Sequence, residues 1–302
     1  MSLTTETEKW LKRNADISLK GKTVVVTGAN SGVGFKIAET MLYLGARVIL
    51  ACRSQQKAII ARDTLAAGYP EADLSVMELD LADFAAIDAF VEAVRQQRID
   101  IDVFVNNAVV LHQPGKKTKD GFELVIGTNY FGVFYLTERL LPYLSSLPHE
   151  VNYINTISLL DKYATIDYDD FYYRKRYRTM PVYARSKLCL AKYTYHTARR
   201  LDGSNVRMYM NHPGIAITPM GLNMVGPRVA KLGLAAKGLF NSPEKSSLSV
   251  AFILSHTLPA GTIVGPVKGF GGWGYPKINR TSRKMQTGAE ELIAFTKKEI
   301  GR

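Results

Sequence analysis

The chain has 302 residues, 46% of them hydrophobic and 22% charged, a balance that supports a folded core and excludes collagen-like and disordered chains. Its 39 basic residues against 27 acidic ones give a formal charge of +12, which points to anionic partners such as phosphorylated cofactors, nucleic acid or anionic membrane without choosing among them. Cys52 and Cys189 are the only cysteines, too few for a disulfide framework or a thiolate metal site; with no apolar run near the ~18 residues of a membrane span and no secretory leader, a cytoplasmic protein is expected.

Residues 1–20 read as a polar, helical extension ahead of a single domain over 21–302. Short apolar runs then recur: TVVVTG (23–28), ARVILA (46–51), LSVMEL (74–79), IDVFVN (101–106), VNYINTIS (151–158), VRMYMN (206–211) and, more weakly, GTIVG (261–265). Their β-branched and aromatic content, without strict alternation, marks strands buried on both faces, hence a parallel sheet. Between them, segments such as GFKIAETMLYLG, IDAFVEAVRQQ and VFYLTERLLPYLSS repeat apolar residues at three and four places, as helices covering a sheet do. The alternation runs to about residue 211 without linker or repeat. The expectation is one α/β domain with a doubly wound parallel sheet of about seven strands. Segment 220–241, basic, apolar and dotted with glycine, reads either as a mobile substrate lid or as surface helices packed on the core.

The first run leads into TGANSGVG, with Gly28, Gly32 and Gly34 before a helical stretch that opens near Val33. Glycines between a strand and a helix permit a tight turn and bring backbone close to a pyrophosphate held at the helix N-terminus. The spacing differs from Gly-x-Gly-x-x-Gly, and a turn without ligand is the competing reading. The second run ends at Arg53 with no acidic residue to take ribose hydroxyls; a guanidinium there suits a 2′-phosphate, which favours NADP(H) and leaves NAD(H) open. Asp80-Leu81, after the third run, offers a carboxylate to an adenine amino group or simply a helix cap.

Tyr183 and Lys187, four apart in a helical stretch, share one face. A phenol titrates near 10, and a nearby ammonium favours its ionised form, so the pair suits proton transfer near neutrality. Tyr-x-x-x-Lys is common by itself. It gains meaning beside Ser158 at the end of the fifth run and Asn129 in the helix before it, where a hydroxyl can hold a carbonyl oxygen and a carboxamide can fix a water.

Together TGANSGVG, Asn106-Asn107-Ala108, Asn129, Ser158, Tyr183-x-x-Ser186-Lys187 and Pro213-Gly214 resemble the short-chain dehydrogenase/reductase superfamily over about residues 20–220. The resemblance implies a single Rossmann domain, strand order 3-2-1-4-5-6-7, and hydride transfer between a nicotinamide and a carbonyl or secondary alcohol. It implies that Tyr183 moves the proton, that Lys187 lowers its pKa and binds the nicotinamide ribose, that Ser158 orients the substrate oxygen and that Asn129 holds a relay water. Cofactor contacts are implied at Gly28, Asn30, Ser31, Gly32, Val33, Gly34, Arg53, Asp80, Leu81, Asn107, Ala108, Pro213, Gly214 and Thr218. Three features depart from the pattern: Val109 stands where a glycine is usual, Ile157 replaces the first of a serine pair, and 25 residues rather than about a dozen separate Ser158 from Tyr183.

That longer spacing defines an insertion over 159–181, acidic and then basic and aromatic, expected at the rim of the active site. Insertions of this kind, with ACRS after the second strand, resemble the retinol and hydroxysteroid dehydrogenase branches. The N-terminal extension resembles that of bacterial 20β-hydroxysteroid dehydrogenases. A hydrophobic alcohol or carbonyl substrate and a homodimer or homotetramer follow as expectations, against the alternative of a catalytically silent NAD(P)-sensing protein. Single-stranded nucleic acid stacked on Tyr172, Tyr173 and Tyr177 among Arg174, Lys175, Arg176 and Arg178 is weighed and set aside. His112, His149, His196, His212 and His256 are scattered, so no metal is expected.

Overall fold

The computed structural model describes residues 3–111, 114–214, 216, 241–268 and 273–301. Strands β1 (Thr23–Thr27), β2 (Arg47–Cys52), β3 (Leu74–Glu78), β4 (Val103–Asn106), β5 (Val151–Thr156), β6 (Val206–Asn211), β7 (Ile263–Lys268) and β8 (Trp273–Asn279) form one sheet in the order β3-β2-β1-β4-β5-β6-β7-β8. The first seven pair in parallel, with registers such as Val25↔Ile49 and Val25↔Phe104, and β8 runs antiparallel to β7. This is a Rossmann-type doubly wound sheet. The direction of winding reverses between β1 and β4, which opens a crevice at the C-terminal ends of those strands.

Each central strand is buried on both sides, and the pleat sends successive residues to two separate cores. Val25, Ile49, Phe104 and Tyr153 face one core with Phe90, Leu140, Leu190 and Leu292. Val24, Val26, Leu50 and Val105 face the other with Ile37, Met41, Leu65 and Val250. Each such valine or leucine, removed from water, contributes about 1.5–3 kcal/mol. The first core is covered by α4 (Phe84–Gln96), α6 (Val133–Ser145), α7 (Thr179–Arg200) and α10 (Ala289–Glu299). The second is covered by α2 (Gly32–Tyr43), α3 (Gln55–Gly68) and α8 (Pro243–Ser255). Shorter pieces are α5 (Leu124–Ile126), a π-helix at Gly127–Gly132, a 3-10 turn at Leu159–Tyr163 and α9 (Arg283–Gln286).

Two features differ from the sequence reading. The sheet has an eighth strand, whose antiparallel pairing sets Pro276 opposite Pro266; proline gives up a ladder donor and is tolerated at a sheet edge. The N-terminal extension is helical and, beyond what the sequence reading says, docked. Helix α1 (Thr5–Asn14), capped by the Thr4 hydroxyl, buries Trp10 and Leu11 and stacks Trp10 on Tyr275 of β8 at 5.8 Å. No helix among the described residues is long and apolar enough to cross a membrane. The expected lid, apart from Asn241, lies outside the described residues.

Candidate active site

The turn after β1 is built around glycine. Gly28 and Gly32 have φ of +65° and +58°, the left-handed region in which a side chain is strained. A Cβ on Gly28 would lie 2.9 Å from Ala108 Cα, and one on Gly34 would lie 2.4 Å from Asn107 Nδ2 and 2.5 Å from Gly28 O. The close approach is held from the other side of the crevice. Thr27 Oγ1 accepts from the Asn107 and Ala108 amides at 3.0 and 2.9 Å, and Asn107 Nδ2 donates to Thr27 O at 3.0 Å. Ser31 opens α2 without capping it by its side chain, so the first-turn amides, flanked by Asn30 and Val33, stay available to an anion. Burial pushes the Cys52 thiol up, opposed by hydrogen bonds from the backbone at Ala29, Asn30 and Gly28, which ties the end of β2 to the same turn.

Arg53 follows β2 directly and is exposed, and no ion pair to it forms among the described residues. Asp80 is half-buried, and its Oδ1 accepts from the Ala82 amide at 3.0 Å. The cap of α4 is Asp83, so Asp80 serves the turn before the helix. Leu81 is buried, its carbonyl against Gly132, where a Cβ would meet it at 2.0 Å. Val109 causes no distortion: its φ is not positive, so the position needs no glycine. Pro213 and Gly214 follow β6, and Pro213 O accepts from Ser246 Oγ at 2.9 Å and Asn241 Nδ2 at 3.1 Å. Thr218 lies outside the described residues.

Helix α7 brings Tyr183 and Lys187 to the C-terminal end of β5. The Ser158 hydroxyl lies close enough to the Tyr183 phenol to favour its ionised form. Lys187, 2% exposed, donates from Nζ to Thr156 O at 2.7 Å. Burial pushes the Tyr183 phenol up to about 12, opposed by the nearby Ser158 hydroxyl and reinforced by the Asp161 carboxylate; burial pushes Lys187 down to about 7. This is opposite to the lowering of the phenol expected from the lysine. Both groups leave water together, which disfavours phenolate and ammonium alike, and the amine is turned to a backbone carbonyl.

Asn129 lies beside the same helix. It is fully buried in the π-helix, an i→i+5 turn common at functional sites. Its carboxamide pairs with the Val110 backbone, Oδ1 accepting from the amide at 2.9 Å and Nδ2 donating to the carbonyl at 3.0 Å. Nδ2 also donates to Ser186 Oγ at 3.3 Å, and Ser186 Oγ donates to Tyr183 O at 2.7 Å. The side chain thus ties the loop after β4 to the Tyr183 helix.

Sequence reasoning missed Thr27 and Arg185, and it named Ser186 without giving it a role. Arg185 is 3% exposed and anchors the insertion: it donates to Thr165 O at 2.9 Å, Asp170 O at 2.6 Å and Phe171 O at 2.9 Å, and lies 3.9 Å over the Tyr173 ring. The insertion's rings are engaged by protein. Phe171 stacks on Phe131, and Tyr172 donates to Glu299 at 2.5 Å. Arg174, Lys175, Arg176 and Arg178 are exposed, Arg174 lying over the Tyr172 ring at 5.0 Å.

The family model for short chain dehydrogenases matches residues 22–225. Human retinol dehydrogenase 14 is 37% identical over 262 residues, 81% of this chain and 77% of that one. Mouse retinol dehydrogenase 14 is 40% identical over 248 residues, 78% and 74% of the two chains. Among solved structures, an uncharacterised protein from Mycobacterium paratuberculosis superposes with TM-score 0.75 at 30% identity, covering 95% of this chain and 97% of the other. The Pseudomonas aeruginosa RhlG/NADP complex has the same fold, with TM-score 0.64 at 24% identity over 82% of this chain and 94% of that one. The chain belongs to the short-chain dehydrogenase family, NAD(P)-dependent oxidoreductases that act on alcohols. A nicotinamide dinucleotide fits the site on its own geometry, because the cradle at Gly28 and Gly34 has no room for a Cβ and the uncapped α2 amides stand beside it.

Proposed function

We propose that the protein is an NADP(H)-dependent carbonyl reductase and alcohol dehydrogenase for a bulky apolar substrate of retinoid or steroid type. The observation that carries the reading is Lys187 Nζ anchored on Thr156 O at 2.7 Å at the end of β5, which sets Tyr183, one helical turn back, near Ser158 at the strand ends that flank the glycine cradle. The similarity to retinol dehydrogenases supports the substrate class. The exposed Arg53 at the end of β2 supports NADP(H), since a guanidinium pairs with a 2′-phosphate.

When bound, the reduced nicotinamide supplies a hydride to a carbonyl carbon, and its oxidised form accepts one from an alcohol. The chain's residues handle the oxygen and the proton. Ser158 Oγ positions the substrate oxygen beside Tyr183. As negative charge develops on that oxygen, the Tyr183 O–H bond breaks and a new O–H bond forms, giving the alcohol; alcohol oxidation runs the same transfer backwards. Lys187, within a turn of the phenol and anchored on Thr156 O, returns the proton to Tyr183. Asn129 and Ser186 keep the tyrosine's helix in register with the loop after β4.

The test follows nicotinamide absorbance with NADPH and NADH separately against a panel of retinoid and steroid carbonyls. Turnover with an apolar carbonyl, faster with NADPH, is expected. Tyr183→Phe should lose at least about a hundredfold in kcat, the usual worth of a positioned proton donor, with NADPH affinity retained. Full turnover in that variant would remove the proposal.

A further inference from the structure

Strands β5 and β6 end side by side. Their last paired residues are Thr156 and Asn211, and the Ile157 amide donates to Asn211 O at 2.8 Å. Two residues further along each chain come Ser158 and Pro213, so the loop after β6 opens beside the serine that orients the substrate oxygen in the proposed reaction. Hydride transfer to the carbon bonded to that oxygen needs the reacting atoms about 3–3.5 Å apart. The nicotinamide ring therefore lies within reach of Ser158, and Pro213-Gly214, both half-buried, border the same place. The Pro213 carbonyl is held by two buried side chains. Asn241 Nδ2 donates to it at 3.1 Å, and Ser246 Oγ, in the first turn of α8, donates at 2.9 Å; the two residues are 1% and 0% exposed. The Asn241 carboxamide is used at both ends, since its Oδ1 accepts from the Gly274 amide of β8 at 2.9 Å. A carbonyl oxygen has two lone pairs, and both are taken, so the peptide plane between Pro213 and Gly214 cannot turn without breaking two bonds. In a trans peptide the C=O and N–H point opposite ways, which directs the Gly214 N–H away from α8. Gly214 then turns at a φ of +70°, a conformation glycine adopts without strain. The base of the clamp is itself fixed, because Ser247 Oγ of α8 and Thr40 Oγ1 of α2 are bonded at 2.9 Å.

We propose that Asn241 and Ser246 are positioning residues for the cofactor: they clamp the Pro213 carbonyl and so hold Pro213-Gly214 in place against the nicotinamide end. The inference rests on the reading of Ser158 as the group that orients the substrate oxygen. Without the clamp, the glycine cradle still holds the pyrophosphate and the end of β2 still receives the adenosine half. What is lost is the fixed backbone beside the ring, and a ligand that must order that backbone on binding does so at the expense of affinity. The effect is therefore confined to ligands that carry the ring.

Calorimetry compares a reduced dinucleotide with the same molecule lacking only its nicotinamide: NADPH with 2′-phospho-ADP-ribose, and NADH with ADP-ribose if NADH is the one bound. Ser246→Ala removes one donor to Pro213 O, and Asn241→Ala removes the other together with the tie to Gly274. The dinucleotide should bind about threefold more weakly to Ser246→Ala and about tenfold more weakly to Asn241→Ala, the range that one hydrogen bond spans. The ringless ligand should bind both variants as it binds wild type. Ser246→Ala deletes a single buried oxygen and carries the test alone if Asn241→Ala does not fold. A purely structural role would weaken both ligands alike or leave both unchanged, and either result in a folded variant would overturn the inference. Binding needs no turnover, so a protein that holds the dinucleotide but acts on no carbonyl or alcohol of the panel defeats the proposed function and leaves this test intact. A wild type that binds neither ligand removes both readings.

Discussion

Lys187 carries the sharpest consequence at the scale of one side chain. Its amine is pushed down to about 7 in the folded protein, whereas an unfolded chain holds the proton up to about 10.4. Between these values the unfolded state binds a proton that the folded state lacks, so stability climbs as pH rises from about 7 towards 10, by up to about 1.4 kcal/mol per unit. Below about 7 both states are protonated and the slope vanishes. Urea unfolding across that range should show the climb in wild type and a flatter curve in Lys187→Met; equal slopes would refute it. Residue identity was largely legible in the sequence: Tyr183, Lys187 and Ser158 converge as their types and order require. What the side chains do to one another was not. The direction of the phenol's shift depends on how much water each group loses, and the work of Asn129 depends on Val110 lying opposite, neither of which spacing encodes.

At the scale of elements, the insertion is the part that the sequence located but did not shape. It is expected at the rim of the active site, and Phe171, Tyr172 and Tyr173 turn inward because a buried guanidinium gathers four carbonyls of the loop. Arg185→Leu leaves those carbonyls without a donor and should cost roughly 2–4 kcal/mol. Arg185→Lys should recover only part of that, since an ammonium lacks the planar fork. Trypsin reads the result directly. Cleavage after Arg174, Lys175, Arg176 and Arg178 should accelerate in Arg185→Leu while the remaining chain resists, and an unchanged digestion pattern would show that the loop holds itself. Strand β8 escaped the sequence reading for a related reason: its proline hides the alternation that marks a strand, and only the partner β7 reveals it.

At the scale of the whole molecule, α1 joins parts of the chain that are far apart in sequence. Trp10 stacks on Tyr275, Tyr275 donates to Glu6 at 2.6 Å, and Lys245 of α8 pairs with Glu6 at 2.9 Å. The ion pair is exposed and worth little. The indole is the larger contribution, and Trp10→Ala should cost about 3–5 kcal/mol if the site cannot collapse. The loss should appear as a lower midpoint of the single cooperative transition in thermal unfolding. An early, separate melting step for α1 would show it to be an appendage. The doubly wound plan was legible because strands buried on both faces announce a parallel sheet. The docking of α1 was not, because a helix with one apolar stripe does not say which surface receives it.

Pro276 sits in the strand that terminates the sheet, facing Pro266 across the last ladder. An outermost strand ordinarily offers a row of amides and carbonyls onto which another polypeptide can add. Here one amide is missing by covalent structure, a charged Lys277 follows it, and the register slips between Pro266 and Lys268. The architecture thus finishes its own growth at this border, discouraging stray polymerisation.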